Sequence, residues 1–397
     1  MTKKVIIESM IVLALLSCTG NRSHRQTAET TDSAVDVPEA ITLESNKRFL
    51  LVGTYTINSC SKGIYLYRFD TETGKADSVG MTEVNNPSYL TLSPDEKWIY
   101  SVGENDEKNS AVYAFLFDKA AGMLTQINAQ TTQGAGPCYI AIDRRGKNVH
   151  TANYSSGTIS SFQVREDGSL TPLVALLSFE GSGPDSLRQE KPHLHSVRYT
   201  PDGKYLLAAD LGSDKLYRFS VNGTPFDGQP EIRSDSREDF VTSPGTGPRH
   251  FDFHPQGDYL YLLGELSGEV TAYGYRDGNL TFLQTVAADT TGARGSADIH
   301  VSPDGRFLYA SHRLQADGIS IFSIDPENGL LTKVGYQLTA AHPRNFVITP
   351  NGKFLLVASR DDNKIQVFEI DPKTGLLTDT HQDILIGKPV CLVFAAL

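Results

Sequence analysis

Short apolar stretches with polar residues interleaved fill the chain from about residue 47 to its end, separated by turn residues. No comparable stretch repeats its apolar positions every 3.6 residues or so, and strands rather than helices are predicted. One unit recurs. A Pro followed by a polar residue opens an apolar strand, a Pro-Asp-Gly type turn ends it, and a second strand follows. The first strands read NPSYLTLSPD (86–95), GPCYIAIDRRG (136–146), KPHLHSVRYTPDG (191–203), GPRHFDFHPQG (247–257), GSADIHVSPDG (295–305) and HPRNFVITPNG (342–352). Successive units lie roughly 50 residues apart, the length of a four-stranded propeller blade.

The second strands are as regular: FLLVGTY (49–55), WIYSVGE (98–104), NVHTANY (148–154), YLLAADL (205–211), YLYLLGEL (259–266), FLYASHR (307–313) and FLLVASR (354–360). Third strands such as GIYLYRF (63–69) and NKIQVFEI (363–370) follow. Fourth strands open at hairpins that carry Gly, which supplies the positive φ of a tight turn. Seven second strands meet only six upstream first strands. The last residues, KPVCLVFAAL (388–397), have the first-strand pattern, while the body starts directly at a second strand near Phe49. The predicted fold is therefore all-β: residues 46–397 form one seven-bladed β-propeller, closed by the C-terminal strand joining the N-terminal blade.

Composition agrees with a turn-rich globular body, with 34 Gly and 19 Pro, and 39% hydrophobic residues. The formal net charge of −11 argues against a general nucleic-acid binder, which needs a positive field. The first 18 residues, MTKKVIIESMIVLALLSC, read as a signal peptide with Lys3 and Lys4 ahead of an apolar run from Met10 to Leu16. Leu15-Leu16-Ser17-Cys18 resembles a bacterial lipobox, with Cys18 as the lipidated residue and the only membrane attachment. Residues 19–45 have no aromatic side chain and read as a flexible tether. The protein is thus expected to be exported, as a periplasmic or outer-membrane lipoprotein, or to be cytoplasmic if residues 1–18 are no leader. Cys138 and Cys391 are expected as buried strand thiols.

Topology places the candidate chemistry. First-strand starts and second-strand ends lie on one face of a propeller, and first strands line the channel. Ser88, Cys138, His193, Arg249 and Arg344 stand at first-strand starts; Glu104, Asn153, Asp210, Glu265, Arg313 and Arg360 stand at second-strand ends. His193 and His195 are two apart on a strand and point to one side. Arginine forks bind carboxylate or phosphate and stabilise an oxyanion, histidine takes a proton near neutral pH, and a carboxylate orients either. Each arginine here is also a candidate channel ion pair with Glu104, Asp210 or Glu265. The connections around 180–192 and 234–248 open onto this face as candidate pocket walls. His250, His254, His300 and His342 are read as strand or turn histidines, and Tyr154 and Asp298 as generic positions. His193-x-His195 finds no completed metal ligand set, and no metal is expected. No nucleophile elbow, phosphate loop or dinucleotide fingerprint is present in the sequence.

At these motifs the chain resembles the lactonase-family propellers, of the 6-phosphogluconolactonase and carboxy-cis,cis-muconate lactonising type. The likeness runs over residues 47–397. It rests on GTYT with SKGIYLYRFD, then PHLHSV, ADLG, GPRHFDFHP, GELS, SPDGRFLYASHR, HPRNFVITPNGKFLLVASRD and KPVCL. The resemblance implies a lactone hydrolase that opens a sugar lactone carrying an anionic group, with no cofactor. By motif, its acid/base histidine is His193 or His195, its arginines are Arg249 and Arg313, and its glutamate is Glu265. Arg344 and Arg360 would then clamp a substrate phosphate or carboxylate, with Asp210 and Glu104 as further substrate-binding groups. The alternatives are a carboxymuconate-type cyclase or isomerase, and a non-catalytic propeller that binds a surface partner.

Overall fold

The computed structural model describes residues 46–107, 110–221, 231–232 and 234–397. The expected leader, the Cys18 lipobox and the 19–45 tether lie outside these residues. Among them the chain forms seven antiparallel sheets around a channel. The channel-lining strands are Leu90–Leu92, Pro137–Ile142, Leu194–Tyr199, Pro248–Phe253, Ser296–Val301, Pro343–Ile348 and the C-terminal Pro389–Ala396. In six blades the strands run outward in chain order. In the first blade Pro389–Ala396 is innermost, and Lys47–Thr54, Gly63–Asp70 and Ala76–Glu83 follow.

Closure is a full ladder. Arg48 stands opposite Ala396 and Thr54 opposite Pro389, while the other edge of the same strand pairs with Gly63–Asp70. Neither edge of Lys47–Thr54 is left to recruit another chain. The seam is also packed: Leu50, Val52 and Phe69 of the first blade share one cluster with Leu356, Ile365 and Val367 of the last, and with Leu392. Full burial of each such side chain stabilises by about 1.5–3 kcal/mol.

The hairpin turns on the face away from the strand starts are set by their sequence. In Ser302-Pro303-Asp304-Gly305, Ser302 Oγ donates to Asp304 Oδ1 at 2.6 Å, and Gly305 N–H donates to Ser302 O at 2.8 Å. Gly305 has φ of +76°, and a Cβ there would come within 2.5 Å of His254 Nε2 in the neighbouring blade. Glycine is required twice over, for its backbone and for that approach.

The 234–248 segment departs from the expectation of a long connection. Glu238–Val241 is the outer strand of the fourth blade, paired with Lys215–Ser220. Its side chains are mostly exposed, and so its sequence carries no alternation to reveal it.

Phe69 is 0% exposed and touches Phe354 and Phe394 edge-on or tilted, at centroid distances of 6.2 and 5.5 Å. Phe69→Ala is expected to cost about 3–5 kcal/mol, read as a lower urea midpoint with unchanged slope. Phe282→Ala, at a position 62% exposed, is expected to stay within about 0.5 kcal/mol of the parent.

Candidate active site

Six of the seven channel strands break register where they open onto one mouth. The ladder to the neighbouring strand passes from Pro137 to Tyr139, from Leu194 to Ser196, from Pro248 to His250 and from Pro343 to Asn345. The residues skipped are Cys138, His195, Arg249 and Arg344. Val390 is skipped in the closing strand, and Ala297-Asp298 in the sixth blade. A bulged residue is freed from the ladder and its side chain is re-aimed. Cys138, His195, Arg249, Arg344 and Val390 accordingly line one small central cavity together with Ser88, with Tyr89, His250 and Asn345 beneath them.

Chain spacing explains why His195 and not His193 lies in this ring. Pro248 and Pro255 are seven apart, whereas Pro192 and Pro201 are nine apart. Two extra residues shift the fourth blade, and His195 becomes the counterpart of Arg249.

Glu265, just past the second strand Tyr259–Gly264, is the anion at the centre. Its Oε1 accepts from Arg188 Nη2 at 2.7 Å and lies 3.4 Å from Arg313 Nη2. Its Oε2 lies 2.8 Å from Arg249 Nε and 3.9 Å from His195 Nε2. Burial would raise this carboxyl, but Arg313, Arg249 and Arg188 outweigh it and hold Glu265 down at about 2. The arginines are in turn fixed by main-chain carbonyls. Arg249 Nη1 donates to Ala297 O, and Arg313 Nε donates to Gly295 O at 2.8 Å. Burial draws Arg313 down to about 9, against the pull of Glu265, and it remains a cation at neutral pH. Arg344 Nη2 lies 3.6 Å from Glu104 Oε2, its guanidinium 5.4 Å from the Tyr55 ring centre, and the Tyr55 hydroxyl donates to Glu104 at 2.9 Å.

The two histidines differ. His193 stacks on Tyr154 with ring centres 4.5 Å apart. Its Nδ1 faces the Tyr154 carbonyl at 3.0 Å and its Nε2 faces the Glu190 carboxylate at 3.2 Å. Both nitrogens thus already face oxygen atoms of the protein. His195 is buried between Cys138 Sγ, 3.7 Å from Nδ1, and Glu265. Burial, then Arg249, His250 and Arg344, keeps it well below the usual histidine range and hence neutral.

Asp210 is not brought into the mouth. It is 0% exposed, and it accepts from His193 N at 2.7 Å, Gly212 N at 2.9 Å, the Tyr217 hydroxyl at 2.9 Å and Ser213 Oγ. With its lone pairs used in holding the turn, it has none for a substrate. Arg360 sits at the rim, paired with Asp361 and 3.2 Å from His342 Nδ1, whose Nε2 lies 3.3 Å from Arg313. Sequence reasoning missed Arg188, Tyr154, Tyr55 and His342 as parts of this mouth. Arg188 comes from the 180–192 connection, which Gln189 anchors by donating to Leu211 O at 2.9 Å and Asp214 Oδ1 at 2.8 Å. The length of that connection was the one available signal.

The family model described as "Lactonase, 7-bladed beta-propeller" matches residues 49–394. A protein of Formosa agariphila named 6-phosphogluconolactonase is 40% identical over 322 residues, covering 80% of this chain and 90% of its own. A solved structure from Bacteroides fragilis, provisionally named a 6-phosphogluconolactonase, is 53% identical with a TM-score of 0.86 over 88% of this chain and 98% of its own. The periplasmic gluconolactonase PpgL of Pseudomonas aeruginosa is 34% identical with a TM-score of 0.82, over 88% and 100% respectively.

Glu265→Gln leaves three arginines without their shared anion and is expected to cost about 3–5 kcal/mol at pH 7. In the parent, the folded value of about 2 lies below the unfolded 4.5, so this stabilisation is present above pH 4.5 and is lost as pH falls through 2. Its size is about 3 kcal/mol. Urea midpoints at stepped pH are expected to show parent and variant converging across that window.

Proposed function

This chain belongs to the seven-bladed β-propeller lactonase family, and we propose that it is a lactone hydrolase of the 6-phosphogluconolactonase type. Its substrate is a sugar lactone carrying an anionic group. One observation carries this reading. Among the described residues, four guanidinium groups, Arg188, Arg249, Arg313 and Arg344, make their ion pairs with two carboxylates, Glu265 and Glu104, at one mouth. Two positive charges are uncompensated in a partly desolvated site, where attraction to an anion is far stronger than in water.

The chemistry needs that excess. Water adds to the lactone carbonyl carbon, the carbonyl oxygen becomes an oxyanion, and the ring C–O bond then breaks with the proton passing to the departing oxygen. The product acid ionises at neutral pH. Arg249 and Arg313, held in place by Glu265 and by main-chain carbonyls, stand ready for the oxyanion. Arg344, with Arg360 further out, is placed for the substrate's own phosphate or carboxylate. A neutral imidazole at this mouth supplies the proton acceptor.

The measurement is ring opening of 6-phosphogluconolactone and unphosphorylated gluconolactone by the full chain, above the spontaneous rate. Arg249→Lys is expected to lower kcat about 10²–10³-fold. Arg344→Ala is expected to raise KM about tenfold or more for the phosphorylated lactone and to change it little for the neutral one. Unchanged turnover in Arg249→Lys would sink the assignment.

We further propose, on the leader and independently of the lactonase reading, that the protein lies outside the inner membrane, tethered through Cys18. The leader motif supports it, as does the periplasmic relative in Pseudomonas aeruginosa. Cys18→Ser is expected to move the protein from the detergent-extracted membrane fraction to the soluble one. A parent found in the cytosol rules the anchor out.

A further inference from the structure

His250 follows Arg249 on the same channel strand and is 5% exposed. Its Nδ1 lies 2.8 Å from Asp298 Oδ1. An ionised carboxylate only accepts, so Nδ1 carries the hydrogen and Nε2 is left with a lone pair. That Nε2 is buried and has no hydrogen-bond partner. An orphaned buried acceptor costs about 1–3 kcal/mol unless something bonds to it.

Ser88 Oγ is buried and unpartnered in the same way, and both residues line the central cavity with His195, Arg249 and Arg344. Two orphaned polar atoms on one polar cavity call for a small group that donates to one and bonds the other. Water is that group.

Asp298 is built as a fixed anion. Besides His250 it accepts from His300 Nε2 at 3.0 Å, Asn345 Nδ2 at 2.5 Å, Phe346 N at 3.2 Å and Ile299 N at 3.1 Å. Burial would raise it, but His300 and His250 outweigh burial and keep it well below the usual carboxylate range. His195, 5.2 Å away edge-to-face, has no such partner; its nitrogens meet a thiol and, at 3.9 Å, Glu265.

We propose that His250, oriented by Asp298, is the general base of the ring opening, and that the attacking water sits against His250 Nε2 and Ser88 Oγ. This rests on the lactonase reading. As the water oxygen bonds to the carbonyl carbon, one water proton passes to Nε2 and the carbonyl π pair becomes the oxyanion facing Arg249 and Arg313. When the ring C–O bond breaks, the imidazolium returns the proton to the departing ring oxygen, and His250 is regenerated. Asp298 orients the ring and stabilises the imidazolium without taking the proton. Burial and Arg249 hold His250 at about 4 against the pull of Asp298. An anionic substrate offsets the arginine charge and so raises its basicity when the substrate is bound.

The test compares the full-length parent with His250→Asn and Ser88→Ala, on whichever lactone the parent opens. Asn keeps the donor toward Asp298 and removes the Nε2 base. In folded His250→Asn, kcat is expected to fall at least 100-fold while KM stays within about threefold. Ser88→Ala removes only an unpaired hydroxyl, and kcat is expected to fall about tenfold with KM retained. A folded His250→Asn whose kcat stays within about threefold, or whose loss is confined to KM, overturns the assignment of His250 while leaving the lactonase reading intact. If His250→Asn does not fold, Ser88→Ala decides: unchanged kcat overturns the proposal and a selective loss of kcat supports it. A parent inactive on every lactone overturns both.

Discussion

A residue inserted between two ladder positions has no partner across the strand, and its side chain leaves the strict up-and-down alternation of the pleat. In this propeller that insertion falls at one level in six of the seven channel strands. Seven strands converging on one axis leave little room, and the bulged side chains of five of the six line the same small volume. Ring closure makes this possible, because Pro389–Ala396 brings Val390 into the ring and Cys391 beneath it. Without the closing strand there would be a gap in the wall of the cavity and an open edge on the first blade.

Such convergence has an electrostatic cost that Glu265 offsets. Arg249 is 1% exposed, and an isolated buried guanidinium would cost several kcal/mol. One carboxylate placed among Arg188, Arg249 and Arg313 satisfies all three in part, and carbonyls of Gly295, Ser296 and Ala297 take further N–H groups. The compensation stops short of neutrality. A chain with a net charge of −11 thereby concentrates a positive field at one mouth, which is an arrangement suited to drawing in an anion.

The repeat, the closing strand and the shared face of the site were legible in the sequence because they follow from period and topology. The choice between His193 and His195 was not, since alternation puts both on one side; the nine-residue gap from Pro192 to Pro201 held the answer, but only for a reader who knew of the bulge. Asp210, opposite Leu194, holds the place that Gly264 holds opposite Pro248, and Glu265 stands one position further on, where alternation sends its side chain the other way. Gly212, Ser213 and Tyr217 claim Asp210 for the turn, while Glu265 has arginines around it. Arg188 lies on a connection with no periodicity, and Asp298 and His250 look like ordinary strand residues until the bulge in the sixth blade sets them side by side.

Those last two residues also show how the channel below the mouth serves the mouth itself. From His250 a line of alternating charge and hydrogen bonds runs down through Asp298 and His300 to Asp252 and Arg198. Burial would lower His300, but Asp298 and Asp252 overcome it and hold the imidazole up at about 10, so it remains a cation beside Asp298. With a cation behind it, Asp298 has no need of a proton. With an ionised Asp298 behind it, His250 has its tautomer fixed before any substrate arrives. Orientation set in this way by the folded channel leaves little reorganisation for the moment of reaction, and that is the condition under which buried dipoles and charges stabilise a transition state best. The rigid ring of strands thus supplies geometry to the mouth and protonation states to the groups that line it.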